Sequence, residues 1–329
     1  VPAILPRPAG PGERMILALD ELIRAPFDAA GIFSFFAARA VPGVESVQLG
    51  DPRRLRYART LRLPGGPSAC EITALQVPEG SRLQVRLELA AAEDEALALW
   101  LVRRLLDLDA PAEQIDAELA EAGLADAVRR TPGIRVPGAV DPQEIVIRAI
   151  IGQQISVKAA TTHLGRLSAA VSTVCTSRFA GLDRLFPDAG QIAGGVPVPD
   201  AHEALDPDRV LRLPRRSIAA VAGTARALEL GELQVGFGSD PAALRAALLD
   251  TAGIGPWTAA YIGMRVLGDA DAWLPRDVAL ASGAARLGLI DRQLGAAQRH
   301  RVLEEYAQRW APWRSYAAMH LWQAAGTLE

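Results

Sequence analysis

The stretch that decides the fold is LLDTAGIGPWTAAYIGMRVLGDADAWLPRDVAL, Leu248 to Leu280. Two helix-like runs flank Gly253-Ile254-Gly255, and Asp277 follows after a Leu-Pro-Arg turn. A dinucleotide-binding fingerprint does not fit here. It needs a strand before the glycines and a third glycine three positions on, where Thr258 stands. Helix, Gly-apolar-Gly, helix is instead a helix–hairpin–helix. The glycines permit a tight turn and a close approach of a partner to the backbone. Ile254 is expected to tuck between the helices, and the amides near Gly255 and Thr258 open the second one. A helix N-terminus offers unpaired N–H groups to a phosphate and needs no lysine to do so. Gly-x-Gly alone also describes an ordinary helix turn, so the rest of the chain has to discriminate.

Upstream of the hairpin, helix signals repeat from about residue 111. Asp240 and Pro241 open SDPAALRAALLDTAG, and Ser156 is placed to cap VKAATTHLGRLSAAV. In DPQEIVIRAIIG, Asp141, Pro142 and Glu144 make the pattern of a capping box. AGQIAGGVPVPDAHE reads as a loop. Before residue 111 the signals are mixed. GIFSFFAARAV is helical and DEALALWLVRRLLDL is an apolar helix. SRLQVRLEL alternates, with Leu83, Val85, Leu87 and Leu89 on one face. RYARTLRL and CEITALQV are further strands, separated by the turn PGGP. The Pro/Gly-rich start, VPAILPRPAGPGER, reads as a leader or linker, 1–14.

Composition limits the function. The net charge is −3 and the pI 5.9, so broad phosphate neutralisation is not how this chain would hold nucleic acid. Any DNA contact must be local. Cys70 and Cys175 cannot supply an iron–sulfur cluster or a four-cysteine zinc site. His163, His202, His300 and His320 are scattered, so no metal site is expected. No apolar run reaches the roughly 20 residues that span a bilayer. A reduced, cytoplasmic, nucleoid-associated setting is the expectation. Lys158 is the only lysine.

Five stretches, in order, resemble the helix–hairpin–helix DNA glycosylases, and within them the AlkA type, 3-methyladenine DNA glycosylase II. They are FFAARAVPGVESV (Phe35 to Val47), IRAIIGQQISVKAA (Ile147 to Ala160), AGIGPWTAAYIGMR, DAWLPRD and RWAPWRSYAAMHLW (Arg309 to Trp322). The resemblance covers residues 15 to 329. It implies an α+β fold. An N-terminal α+β domain with a sheet like that of the TATA-binding protein (15–114) precedes a mostly helical helix–hairpin–helix core. That core has two subdomains, 115–142 with 269–329, and 143–268 with the hairpin.

The resemblance also implies a reaction: hydrolysis of the N-glycosidic bond of alkylated bases, such as 3-methyladenine and 7-methylguanine, after base flipping, in base excision repair. Asp277 is the implied catalytic residue, stabilising an oxocarbenium-like sugar, activating water, or both. A lone Asp at this place also fits a helix cap or a loop ion pair. Asp271 is expected to support the loop. Trp257 and Tyr261 fall four apart and share a helix face. With Trp322 and Phe35 they match the family's base pocket, where ring faces attract a cationic base by about 0.5–2 kcal/mol per contact. Trp100, Trp310 and Trp313 are left to the core.

Relatives that also cut the strand carry a Schiff-base lysine two positions after the second hairpin glycine. Trp257 stands there, so no lyase activity is expected. Gly253, Ile254, Gly255 and Thr258 would meet DNA, with Gln153 and Gln154 at a helix end and Gln154 filling the gap left by the flipped nucleotide. Arg215 or Arg216 of RLPRRS would approach the backbone, although Arg212 replaces a glycine common in relatives. No cofactor is required, and hairpin carbonyls could hold a structural monovalent cation. The implied partner is duplex DNA with alkylated bases, bound by a monomer with no membrane involvement. Three alternatives stay open: a related glycosylase for oxidised or mispaired bases, a non-catalytic DNA-binding module, and the glycosylase part of a fusion with a regulator.

Overall fold

A computed structural model describes residues 15–326 except 201, 204, 205 and 207. The leader assigned to 1–14 lies outside the described residues. The N-terminal part is a five-stranded antiparallel sheet with the order β1-β5-β4-β3-β2. Its strands are β1 (Met15–Arg24), β2 (Glu45–Asp51), β3 (Arg54–Leu63), β4 (Gly66–Val77) and β5 (Gly80–Leu89). In β5 the alternation is as read: Leu83, Val85, Leu87 and Leu89 are buried while Arg82 and Arg86 face outward. Pro64-Gly65 forms the two-residue turn between β3 and β4. Sequence reading missed β1, and the reason is visible. It is an edge strand that fully buries only Leu17, so its apolar pattern is weak.

Helix α1 (Ala29–Arg39) crosses the sheet. Asp28 caps it through Gly31 N at 2.8 Å, and Phe33, Phe35 and Phe36 are buried beneath it. The Phe36 ring lies 4.6 Å from that of Tyr57 in β3. Helices then dominate: α2 (Glu95–Leu105), α3 (Ala112–Leu119), α4 (Ala125–Arg130), α5 (Pro142–Ile151), α6 (Val157–Val171) and α7 (Ala189–Gly195). They continue as α8 (Arg215–Glu229), α9 (Pro241–Asp250), α10 (Pro256–Ile262), α11 (Val278–Arg286), α12 (Ala296–Tyr306) and α13 (Arg314–Ala325). Among the described residues, no helix is long and apolar enough to cross a membrane.

Three local expectations change. The stretch expected to be a loop at 189–203 begins with α7, started by a reciprocal capping box between Asp188 and Gln191. At α5 the opposite holds. Asp141 accepts from Gln143 N and Glu144 N, but no reciprocal bond from Glu144 completes the box. Glu144 is instead buried and pairs with Arg59 and Arg148, each at 2.7 Å. A tertiary charge partner outcompetes the local bond. Trp100 is 42% exposed and so is not core. Trp310 is buried, and Trp313 is half-buried with its indole N–H on Glu118 at 2.7 Å.

Two large apolar clusters organise the chain. One joins the sheet and α1 to α2, α11 and α13, through residues such as Tyr57, Leu105, Leu280 and Trp322. The other packs α5, α6, α8, α9 and α10, through Ile147, Leu164, Ile218, Leu248 and Ile262. A cavity of about 310 Å³ opens where the two meet, lined by Phe35, Leu105 and Trp322 from the first and Ile145, Ala149 and Leu164 from the second.

Candidate active site

Asp277 is the N-cap of α11. Its Oδ1 accepts from Leu280 N at 2.9 Å. The cap reading of this Asp is what the structure shows, and the residue also lines the cavity. Oδ2 accepts from Trp257 Nε1 at 2.8 Å and from Trp322 Nε1 at 3.3 Å. Arg276, just before it, sits at φ 59°, a left-handed conformation uncommon outside glycine. That turn aims the next residue inward. Among the described residues no cation pairs with Asp277.

The aromatic wall follows from helical spacing. Trp257 and Tyr261, one turn apart on α10, stack with centroids 5.2 Å apart and planes at 8°. Trp322 of α13 meets Tyr261 at 6.5 Å and 60°. Phe35 of α1 is buried and lines the same cavity. The structure therefore brings Phe35, Trp257, Tyr261, Asp277 and Trp322 to one space from four separate helices. Asp271 lies apart from them in a two-pronged pair with Arg314, both contacts at 2.7 Å.

The hairpin forms the rim. Gly253 has φ +89°, and a Cβ there would sit 2.7 Å from Ala220 Cβ of α8. Gly255 has open space where a Cβ would project, and no side chain caps the helix it starts. Ile254 is buried in the second cluster. Thr258 and Gln153, read as DNA-facing, have their side chains engaged with each other. Gln153 Nε2 donates to Thr258 Oγ1 at 3.0 Å and to Gly253 O at 2.9 Å, tying the α5–α6 turn to the hairpin. Thr258 is itself buried. Gln154 is exposed at φ 59°, with its amide oxygen 3.4 Å from Arg216 Nη2. Arg215 is also exposed, with Nε on Pro199 O at 2.8 Å.

A family model for the AlkA N-terminal domain matches residues 18–141. The chain is 39% identical over 301 residues to the "Probable bifunctional transcriptional activator/DNA repair enzyme AlkA" of Mycobacterium tuberculosis strain H37Rv. That alignment covers 91% of this chain and 55% of the relative, so the chain spans about half the relative's length. It is 32% identical over 305 residues to DNA-3-methyladenine glycosylase 2 of Escherichia coli K12, covering 92% of this chain and 95% of that one. The chain belongs to the DNA-3-methyladenine glycosylase 2 (AlkA) family. Its fold is that of the 3-methyladenine DNA glycosylase from Archaeoglobus fulgidus, with a TM-score of 0.72, 18% identity and coverage of 94% and 98% of the two chains.

In this AlkA-family chain the cavity is not walled by rings alone. Arg265 and Arg39 also line it, and sequence reading missed both. Arg265 donates to Tyr261 Oη at 2.6 Å, to Pro137 O at 2.5 Å and to Gly138 O at 2.9 Å. Arg39 lies with its guanidinium carbon 3.9 Å over the Phe35 ring and donates to Phe35 O at 3.4 Å. The available signal was spacing, since each Arg follows a pocket aromatic by four residues. Burial pushes the Arg39 guanidinium down to about 10, with Arg265 adding to the effect. Burial alone would raise the Tyr261 phenol, but the charges of Arg265 and Arg39 outweigh it and bring it below its usual value. Behind the rings lies a buried ion cluster. Arg59 holds Glu144, and Arg148 bridges Glu144 at 2.7 Å and Glu45 at 2.5 Å. Burial would raise Glu45, yet Arg148 and Arg59 hold it down, to about 2. This cluster fastens α5 to the sheet and gives the cavity a polar floor.

Proposed function

We propose that this chain is a monofunctional DNA glycosylase that hydrolyses the N-glycosidic bond of alkylated bases in duplex DNA. The observation that carries the reading is the Asp277 carboxylate at a cavity faced by stacked rings, with no lysine among the residues that line it. A base inside a duplex cannot reach such a cavity, so the nucleotide must leave the stack, at a cost of a few kcal/mol. Gln154, exposed and in contact with Arg216, would fill the gap. The hairpin amides around Gly255 would take a backbone phosphate.

Methylation at N3 of adenine or N7 of guanine makes the base cationic and a good leaving group without protonation. The remaining barrier is the positive charge that grows on the sugar. A carboxylate fixed by three N–H donors is a preorganised counter-charge for it, and the same oxygen can orient water. The C1′–N bond breaks, the base leaves with its electron pair, and water adds to C1′ while losing a proton. Water and one carboxylate suffice, so the reaction as written needs no cofactor. The only lysine, Lys158, is exposed on α6, so no amine is at hand for a Schiff base.

The test is incubation with methylated duplex DNA and chromatography of the released bases, followed by electrophoresis of the product strand. Free 3-methyladenine and 7-methylguanine with intact abasic strands are expected. Absence of base release, or nicking above background, would overturn this reading.

A further inference from the structure

We infer that Asp141 is a specificity-determining residue of the base pocket: its carboxylate faces the flipped base, as Asp277 faces the sugar, and favours a base that carries positive charge over a neutral one. This rests on the glycosylase reading above and deepens it. Asp141 is the N-cap of α5, and its Oδ1 accepts from Gln143 N at 2.9 Å and from Glu144 N at 3.3 Å. The residue also lines the cavity, and its Oδ2 has no partner among the described residues. The cap bonds hold the carboxyl in place and leave one oxygen for whatever enters. The other charges of the wall are paired or positive. Glu45 and Glu144 are held by Arg59 and Arg148. Arg39 and Arg265 line the same space, so without Asp141 a cationic base would lie beside two like charges.

The cavity has a direction. Its wall follows α5 through Ile145 and Ala149 to Gly152. Beyond Gly152, Gln153 is bonded to the hairpin, and Asp277 is bonded to Trp257 in the helix that the hairpin opens. Asp141 stands at the other end of this 10-residue helix, about 15 Å along its axis. Arg265, two turns after Trp257, marks the same inner end by its bonds to Pro137 O and Gly138 O. A sugar tethered to its strand at the Asp277 end would point its base toward Asp141. The two carboxylates then act at different stages. In the bound lesion the positive charge is on the base. As the C1′–N bond breaks, that charge passes to the sugar, where Asp277 stands. A negative group on the base side therefore strengthens capture of the lesion and does not help the bond-breaking step. Burial, with Glu144 adding to it, raises the Asp141 carboxyl above its ordinary value, against the two cap bonds and Arg59. Its charge is costly there, and a cationic base offsets that cost where a neutral one does not.

The experiment compares two duplexes that differ in one base, 7-methylguanine or guanine, each on a 2′-fluoroarabinose that blocks hydrolysis. Affinities of wild type, Asp141→Asn and Asp141→Ser are read by fluorescence anisotropy. Asn and Ser cap a helix about as well as Asp does, and neither carries charge. Melting curves check the fold. A unit charge roughly 10 Å from a cation, at an effective dielectric of about 20, changes affinity about tenfold. Both variants should lose that much of the preference for 7-methylguanine and bind the guanine duplex as wild type does. With a cleavable 7-methylguanine duplex, the loss should fall on the half-saturating enzyme concentration and not on the maximal single-turnover rate, the reverse of the pattern expected for Asp277→Asn. A purely structural role would weaken both duplexes together or change neither. An unchanged preference, or a loss confined to the maximal rate, overturns this inference and leaves the glycosylase reading intact. A wild type that prefers 7-methylguanine through Asp141 yet releases no base sinks the glycosylase reading alone. A wild type with no preference sinks this inference.

Discussion

Asp277→Asn separates the charge of this residue from its shape. The carboxylate has three N–H donors on two oxygens: Leu280 N on Oδ1, and Trp257 and Trp322 Nε1 on Oδ2. An amide has one oxygen, so one set must be lost. Turning the oxygen to the indoles sacrifices the helix cap, worth about 1 kcal/mol. Turning it to Leu280 strands two indole N–H groups, at roughly 1–3 kcal/mol each. The first orientation wins, and the variant should fold with a stability loss of about 1 kcal/mol. Catalysis should suffer more. A unit charge about 5 Å from the developing sugar cation, at an effective dielectric of about 20, contributes roughly 3 kcal/mol. That corresponds to about two to three powers of ten in rate. The assay is single-turnover base release from methylated duplex, with binding to an abasic-analogue duplex followed by fluorescence anisotropy. Binding should stay within a few-fold of wild type. A variant that releases bases within about tenfold of the wild-type rate would refute the electrostatic argument.

Two further outcomes follow from other parts of the molecule. Gly253→Ala should cost about 1–3 kcal/mol, since the residue has φ +89° and its Cβ would press on Ala220. Gly255→Ala, with open space around its Cβ, should leave the urea midpoint unchanged and weaken DNA binding several-fold; equal destabilisation by the two would contradict the packing described. His320 is buried, and burial pushes its imidazole down to about 4. A folded value below the unfolded one means the stabilisation is full above about pH 6.5 and is lost as pH falls toward 4. The loss approaches about 3 kcal/mol. Urea midpoints at pH 7 and 4.5 should therefore drop more for wild type than for His320→Leu, and parallel curves would exclude His320 as the cause.

Local and periodic features were legible in the sequence because their causes lie within a few residues. The alternation of β5, the Asp240 and Ser156 caps, the Gly-Ile-Gly turn and the i, i+4 pair Trp257–Tyr261 all belong to this class. The five stretches in order also carried the family, which the match to the Escherichia coli glycosylase establishes. What escaped was settled over long chain separations. Glu144 looked like half of a capping box until Arg59 of the sheet, 85 residues away, claimed it. Gln153, read as a DNA contact, also ties one helix turn to the hairpin 100 residues on, a bond that its local sequence does not announce. Arg39 and Arg265 drew no reading of their own, and only the tertiary structure brings α1 and the turn after α10 to one cavity, with Arg265 over the Phe35 ring. Asp277 shows the division most plainly. Its chain position decided that it would cap a helix. Which way its second oxygen turns, and the two indoles that hold it there, depended on where α10 and α13 come to rest against α11, because a hydrogen bond requires atoms within about 3 Å and the chain alone does not say which distant donors will arrive.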